Sequence, residues 1–345
     1  MRSRTKTGLL VAALALAQVG CMERLAANST VRIMRRASPA VQTFADPFLA
    51  EEAIPYSIAQ SEGLMLVLPD NVDLRVNLMR AYGSYGFAFL EDRMEQAEVD
   101  DDEARIDHYR TRASLAFQRA REIGLETMSI EEDADGGAQG AFRRGIDPWK
   151  QYLRRFDDDE QAGLMFWTGY AWARYINLNK DNPDVLADLP FAIACFERSL
   201  ELDGTYNNFA PHVAMAGYYA RAAESLGGQP ADSRREFEFA INATQRHFLT
   251  YLVMQARMYA VMVQDRALFR RLLEEVINAA DVMPEQRLAN QIAKRRARRY
   301  LAQIDELFGP EEPAAEGTPA PAEGAAPAEG SAPATPAAPS SGGAS

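Results

Sequence analysis

Three histidines (His108, His212 and His247) and two cysteines (Cys21 and Cys195) are the chain's whole stock of soft metal ligands and thiol or imidazole nucleophiles, in 345 residues. None of the histidines stands at ligand spacing from another His or from a Cys, so no zinc site is expected. No phosphate-binding glycine loop, dinucleotide fingerprint or nucleophile elbow occurs. Cys195 lies inside an apolar stretch with no His near it in sequence and reads as a small core residue. His212 reads as a packed side chain. The acidic runs Asp100-Asp101-Asp102, Glu131-Glu132-Asp133 and Asp157-Asp158-Asp159-Glu160 lack the alternating spacing and the glycine of a calcium loop. They read as solvated helix starts, where carboxylates meet the positive end of the helix dipole. No enzyme activity, cofactor or metal is expected.

Charge excludes another class. The net charge is −12 and the isoelectric point about 4.9, the wrong sign for a nucleic-acid surface. One basic run, Lys294-Arg295-Arg296 followed by Arg298-Arg299, falls on a helix. It has three readings: a partner for a neighbour's acidic run, a face for anionic lipid, or a solvated helix face.

The N-terminus carries a different chemistry. Arg2, Arg4 and Lys6 precede an apolar run, Leu9 to Ala17, and then Val19-Gly20-Cys21. This is the pattern of a secretory signal. The run of about nine residues is too short to span a bilayer, which takes about 20. Cysteine after Val-Gly fits a lipoprotein signal, with Cys21 lipidated as the mature N-terminus, although Gln18 stands where such signals usually carry Leu. The alternative is an ordinary signal peptide with a cysteine at its junction. Met22 is not the aspartate that retains lipoproteins in the inner membrane, which points to the periplasmic side of an outer membrane.

The elements between the ends read as helices. Apolar residues recur at helical spacing over nearly the whole middle, without alternating β-branched runs. Helices are expected near 22–40, 47–67, 71–98, 103–124, 140–155, 160–179, 187–202, 208–226, 231–246, 249–262, 265–280 and 284–307. Pro69-Asp70-Asn71, Asp135-Gly136-Gly137, Asp181-Asn182-Pro183 and Gly227-Gly228-Gln229-Pro230 punctuate them. The second-helix half of a tetratricopeptide repeat occurs as Ala113/Phe117/Ala120, Ala192/Phe196/Ser199 and Ser233/Phe237/Ala240. First-helix counterparts are Trp167/Tyr170/Ala171, His212/Met215/Ala216/Tyr219 and Leu252/Ala256/Tyr259. The spacing between them is irregular. The expected fold is therefore all-α: irregular tetratricopeptide-like helical hairpins, solenoid-like, with additional helices. Residues 309–345 are almost entirely Ala, Pro, Gly, Ser, Thr and Glu and read as a disordered tail. The domain plan is 1–20 signal peptide, 21–308 helical-repeat domain and 309–345 tail.

Tetratricopeptide geometry places a binding face. Positions one, five and eight after the bulky first-helix residue line the concave side. These are Thr168, Trp172 and Tyr175; then Val213, Gly217 and Ala220, with Arg221 beside them; then Val253, Arg257 and Ala260. Tyr82 and Tyr85 join from an early helix. Aromatic walls with Arg221 and Arg257 suit an apolar ligand bearing a carboxylate, which a guanidinium grips as a fork. The alternative puts the aromatics in the core and the arginines in ion pairs within the fold.

Longer stretches carry a family likeness: EAIPYSIAQSEGLMLVLPDN (52–71), LMRAYGSYGFAFLED (78–92), LMFWTGYAWARYINLNKDNPDVLADLP (164–190), FERSLELDGTYNN (196–208), GGQPADSRREFEFAINAT (227–244) and RLANQIAKRRARRYLAQIDELF (287–308). In their order and spacing they resemble the T-component family of TRAP transporters, the tripartite ATP-independent periplasmic systems, over about residues 20 to 308. The resemblance implies a periplasmic lipoprotein that docks the system's solute-binding protein and binds or passes a small hydrophobic or carboxylate-bearing ligand. It also implies a homotrimer with a pore in each protomer. The alternative function is a cell-envelope scaffold that holds proteins together without a ligand.

Overall fold

The computed structural model of the chain describes residue 22 and residues 24–310. The signal segment, Cys21 and tail residues 311–345 lie outside the described residues. Within them every regular element is helical. Helix α1 covers residues 24–37 and runs into a 3-10 turn, Ser38–Thr43. Next come α2 (Pro47–Val67) and α3 (Val72–Tyr85), a π-turn (Gly86–Glu91), α4 (Asp92–Val99) and the 29-residue α5 (Glu103–Glu131). The middle holds α6 (Gly137–Arg143), α7 (Ile146–Leu153), α8 (Ala162–Leu178), α9 (Pro183–Leu186) and α10 (Leu189–Asp203). The last third holds α11 (Tyr206–Tyr219), α12 (Pro230–Ala243), α13 (Leu249–Met254), a second π-turn (Gln255–Ala260), α14 (Arg266–Asn278), α15 (Arg287–Ala302) and α16 (Ile304–Phe308). This is an all-α helical-repeat fold.

The helix starts follow capping chemistry. Side chains of Asp46, Asn71, Asp102, Asn182 and Asp265 accept backbone N–H bonds at the first turns of α2, α3, α5, α9 and α14. Asp158 and Gln161 form a reciprocal capping box ahead of α8. One acidic run departs from expectation. α5 continues seven residues past the expected end at 124, to Glu131, so Glu131-Glu132-Asp133 closes a helix instead of opening one. There Glu132 pairs with Arg155. Burial accompanies the extension, because Leu125 and Met128 are buried and Thr127, also buried, donates to the Ile123 carbonyl.

Consecutive helices pack as pairs: α8 on α10, α11 on α12, and α13 with its π-turn on α14. The small-and-Phe triplets sit inside these pairs. Ala113, Phe117, Ala120, Ala192, Phe196, Ser199, Ser233, Phe237 and Ala240 are all buried. Helix α8 touches α3, α5, α10 and α11 at once. It is apolar around most of its circumference, as a helix enclosed on several sides must be.

The basic run is mostly not a solvated face, although Arg298 is exposed. Arg296 and Arg299 of α15 are only 3% and 8% exposed, and they reach across to α4. Arg299 donates to Asp92 at 2.8 Å and also bonds Glu95, Arg295 meets Asp92 at 2.6 Å, and Arg296 lies 3.4 Å from Asp92. These guanidiniums pair with acids of the same chain, so neither a neighbour's acidic run nor a lipid surface is needed to neutralise them. Two carboxylates more than 200 residues away in sequence could not be anticipated as their partners.

Candidate functional site

A cavity of 490 Å³ lies among the first π-turn and helices α8, α10, α11, α13 and α15. Helix α8 contributes Phe166, Tyr170, Ala173, Arg174 and Asn177, one helical face. The π-turn contributes Phe87, Ala88 and Phe89. Its widened hydrogen-bonding lets three consecutive residues reach the wall, which an α-helix turn would spread around its axis. Leu189, Ile193 and Phe196 come from α10. Val213, Ala214, Gly217 and Tyr218 come from α11, with Arg221 just beyond it. Tyr251, Met254 and Met258 come from α13 and the second π-turn, and Leu288, Ala289 and Ile292 from α15.

The wall is apolar and one-signed. Arg80, Arg174, Lys180 and Arg221 line it, and no Asp or Glu does, in a chain of net charge −12. The four cations differ in how they are held. Arg174 donates from Nε to Glu91 at 2.9 Å, and its guanidinium stacks on Phe87 at 5.1 Å. Burial, and then the nearby Arg296, push the Arg174 guanidinium down, with Tyr300 opposing them. Arg221 donates to the Gly227 carbonyl at 2.7 Å and lies 4.3 Å over the Tyr218 ring. Arg80 and Lys180 have no hydrogen bond or ion pair among the described residues, and Lys180 is exposed.

The residues expected on the binding face divide. Gly217 and Arg221 line the cavity. At Gly217 a side chain would meet the Met258 methyl at 2.7 Å, so glycine keeps room for the methionine that forms the wall. Thr168, Trp172 and Tyr175 lie on the other side of α8. Thr168 is wholly buried, donates to the Leu164 carbonyl at 2.8 Å, and sits against Gly124 of α5. Trp172, also fully buried, donates to Asp188 at 3.1 Å and packs among Phe142, Trp149 and Phe191. Arg121 lies over Trp172 at 5.0 Å and over Tyr175 at 5.6 Å. Two residues along a helix is about 200° of rotation, so the Thr168/Trp172/Tyr175 face is opposite the Phe166/Tyr170 face that meets the cavity.

Tyr82 donates to Glu62 at 2.9 Å and is pushed up to about 12, chiefly by burial. Tyr85 packs 5.8 Å from Phe89, and burial raises it too. Neither lines the cavity. Arg257 is exposed and lies 5.6 Å over Tyr300, because the second π-turn carries it away from the wall that Met254 and Met258 form. Sequence reasoning missed Phe87, Phe89, Phe166, Tyr170, Arg80 and Arg174. Trp167 lines the cavity as well and donates to the Tyr206 hydroxyl at 2.9 Å.

The remaining reactive groups are tied into packing. Cys195 is free and buried, and burial pushes its thiol up. His212 Nδ1 lies 2.6 Å from Glu236, beside the Phe239 ring. Among the described residues no group of three or more His, Cys, Asp or Glu gathers to hold a metal ion. Among them, too, no helix is long and apolar enough to cross a membrane.

Fold and site together define an all-α helical-repeat protein built around an apolar, cation-edged chamber. The chain belongs to the TRAP transporter T-component family, whose model matches residues 43–308. It is similar as well to an uncharacterized protein of Treponema pallidum (strain Nichols), 22% identical over 261 residues, which span 75% of this chain and 80% of that one. The family is one of transport accessories, associated with the periplasm, and is not an enzyme family.

Proposed function

We propose that this T component docks the periplasmic solute-binding protein of its TRAP system and holds or passes a small ligand through its chamber. The ligand is largely hydrophobic and carries a carboxylate or similar anionic group. The observation that supports this most is the chamber itself: 490 Å³, within the roughly 300–1,000 Å³ of small-molecule sites, with aromatic and aliphatic walls, four cations and no carboxylate on its lining. Gly217 and Arg221 belong to the proposed site, and the wall aromatics Phe166, Trp167 and Tyr170 take the contact role expected of Trp172 and Tyr175. In this proposal Cys21 bears the lipid that anchors the chain to the periplasmic face of the outer membrane. Residues 21–308 form the tetratricopeptide-like body, and the working unit is a homotrimer.

The test is to extract the native full-length protein in mild detergent and identify what comes with it by mass spectrometry. A solute-binding protein and a small amphiphile released on denaturation are the expected finding. Recovery of other envelope proteins with neither of these would turn the reading to a scaffold.

A further inference from the structure

A second, smaller cavity of 130 Å³ adjoins the main one and shares four of its lining residues, Gln42, Ile54, Arg80 and Ser84. Its character is different. Beyond the shared residues it mixes apolar side chains, Met34, Val41 and Leu74 among them, with the hydroxyls of Ser38, Ser57 and Ser61 and the Asn77 amide, and like its neighbour it has no carboxylate on its lining. Arg80 therefore stands at the junction of the main chamber and a smaller one that carries four serine hydroxyls.

Arg80 is the uncommitted guanidinium of the junction. Arg174 is bound to Glu91, and Arg221 to a backbone carbonyl and an aromatic ring. Arg35, which also lines the small cavity, is paired with Asp73 at 2.8 Å. Arg80 is half-buried with no hydrogen bond or ion pair among the described residues, and the hydroxyls of Ser57, Ser61 and Ser84 likewise bond nothing there. In this chain the other arginines of the chamber region and of the α4–α15 seam have acids or carbonyls against them. A half-buried guanidinium with five N–H donors and no partner, sharing a cavity with several hydroxyls, is matched by a planar or tetrahedral oxyanion.

Resting on the ligand-chamber reading above, we infer that the small cavity is a headgroup subsite. Arg80, assisted by Ser84, Ser57 and Ser61, binds the single anionic head of a one-chain amphiphile, carboxylate or phosphate, whose tail lies in the main chamber. The ligand is thus oriented, with its charge toward α2 and α3 and its tail toward α8, α11 and α13. Arg221 contributes at the rim and does not grip the head.

The test displaces the neutral apolar probe N-phenylnaphthylamine from the full-length chain with dodecanoate, dodecyl phosphate or dodecanol. Wild type is expected to bind at least one of the anions more tightly than the alcohol, and the stronger anion names the head. Arg80→Gln is expected to weaken the anions about tenfold, the size of one charge-assisted hydrogen bond, and leave dodecanol unchanged. Arg80→Lys should keep much of the anion preference. A thermal melt of each variant establishes that it is folded. Equal displacement by acid and alcohol in wild type overturns the subsite alone, as does an Arg80→Gln variant that keeps the preference or loses alcohol and acid alike. Failure of the probe to bind wild type overturns the chamber reading along with it.

Discussion

Glu62 shows how a single side chain ties the early helices together. Its two oxygens accept from Arg119 Nε and Nη2, each at 2.9 Å, and one accepts from the Tyr82 hydroxyl, joining α2, α3 and α5. The Arg119 bond holds its carboxyl below the ordinary 4.5, against the opposing effect of burial. A carboxyl whose folded value is depressed stabilises the fold fully above its unfolded value and loses that contribution as pH falls through the folded one. Glu62→Gln is therefore expected to cost about 1 kcal/mol at pH 7, a modest figure because the pair is partly solvated. The gap between variant and wild type should narrow below pH 4.5 and close in more acid solution. Chemical denaturation at a series of pH values measures it, and a gap that is flat with pH would contradict the assignment. Thr168 and Gly124 make a second residue-scale case. A side chain on Gly124 would lie 2.3 Å from the Thr168 hydroxyl oxygen, in a helix crossing with no slack. Gly124→Ala is expected to destabilise by about 1–3 kcal/mol. In the Gly124→Ala/Thr168→Ala double variant much of that loss should return, read as a coupling energy in a double-mutant cycle.

At the scale of elements, what the sequence could disclose depended on how each helix is enclosed. Helix α11 has one face to the chamber, and of the expected Val213, Gly217 and Ala220 stripe with Arg221 beside it, Val213, Gly217 and Arg221 line the cavity and Ala220 does not. Helix α8 was not legible in this way, because Leu164, Met165, Phe166, Trp167, Thr168, Ala171 and Trp172 are all buried and mark no single side. Periodicity identifies an amphipathic face and has nothing to read on a helix that is apolar all round. The two π-turns were equally invisible, since 71–98 and 249–262 carry unbroken helical patterns. Yet each π-turn decides which residues meet the chamber: Phe87 and Phe89 in one, Met258 and not Arg257 in the other. The same contrast makes a prediction about binding. Tyr170→Ala should lower affinity for N-phenylnaphthylamine several-fold, while Tyr175→Ala, on the far side of α8, should leave it close to wild type. Fluorescence titration of both variants decides it, and the reverse order would return the binding face to Thr168, Trp172 and Tyr175.

For the whole molecule, the question is what holds the chamber wall together. The wall has a seam where residues near the start of the chain meet residues near its end. Arg296 donates to the Phe87 carbonyl at 2.7 Å and stacks on that ring at 4.1 Å, fixing a π-turn residue that lines the chamber. Beneath them Asp92, 3% exposed, is shared among Arg295, Arg296 and Arg299, with Glu95 completing the cluster and accepting from the Tyr300 hydroxyl at 2.8 Å. Buried ion pairs add little net stability over apolar packing, but breaking one leaves a charge stranded and costs about 3–5 kcal/mol. Asp92→Asn strands part of three guanidiniums at once, so a loss of about 3 kcal/mol is expected. Arg295→Gln, at the 30%-exposed edge of the cluster, should cost less than about 1 kcal/mol. The loss in Asp92→Asn should be local before it is global. Hydrogen exchange is expected to quicken together in Gly86–Glu91 and α15 while α11 and α12 keep their protection. Probe affinity should fall with it, because Phe87, Leu288 and Ile292 form the wall on either side of the seam. Uniform loss of protection across all helices would mean that the cluster supports the fold as a whole and not the chamber wall in particular.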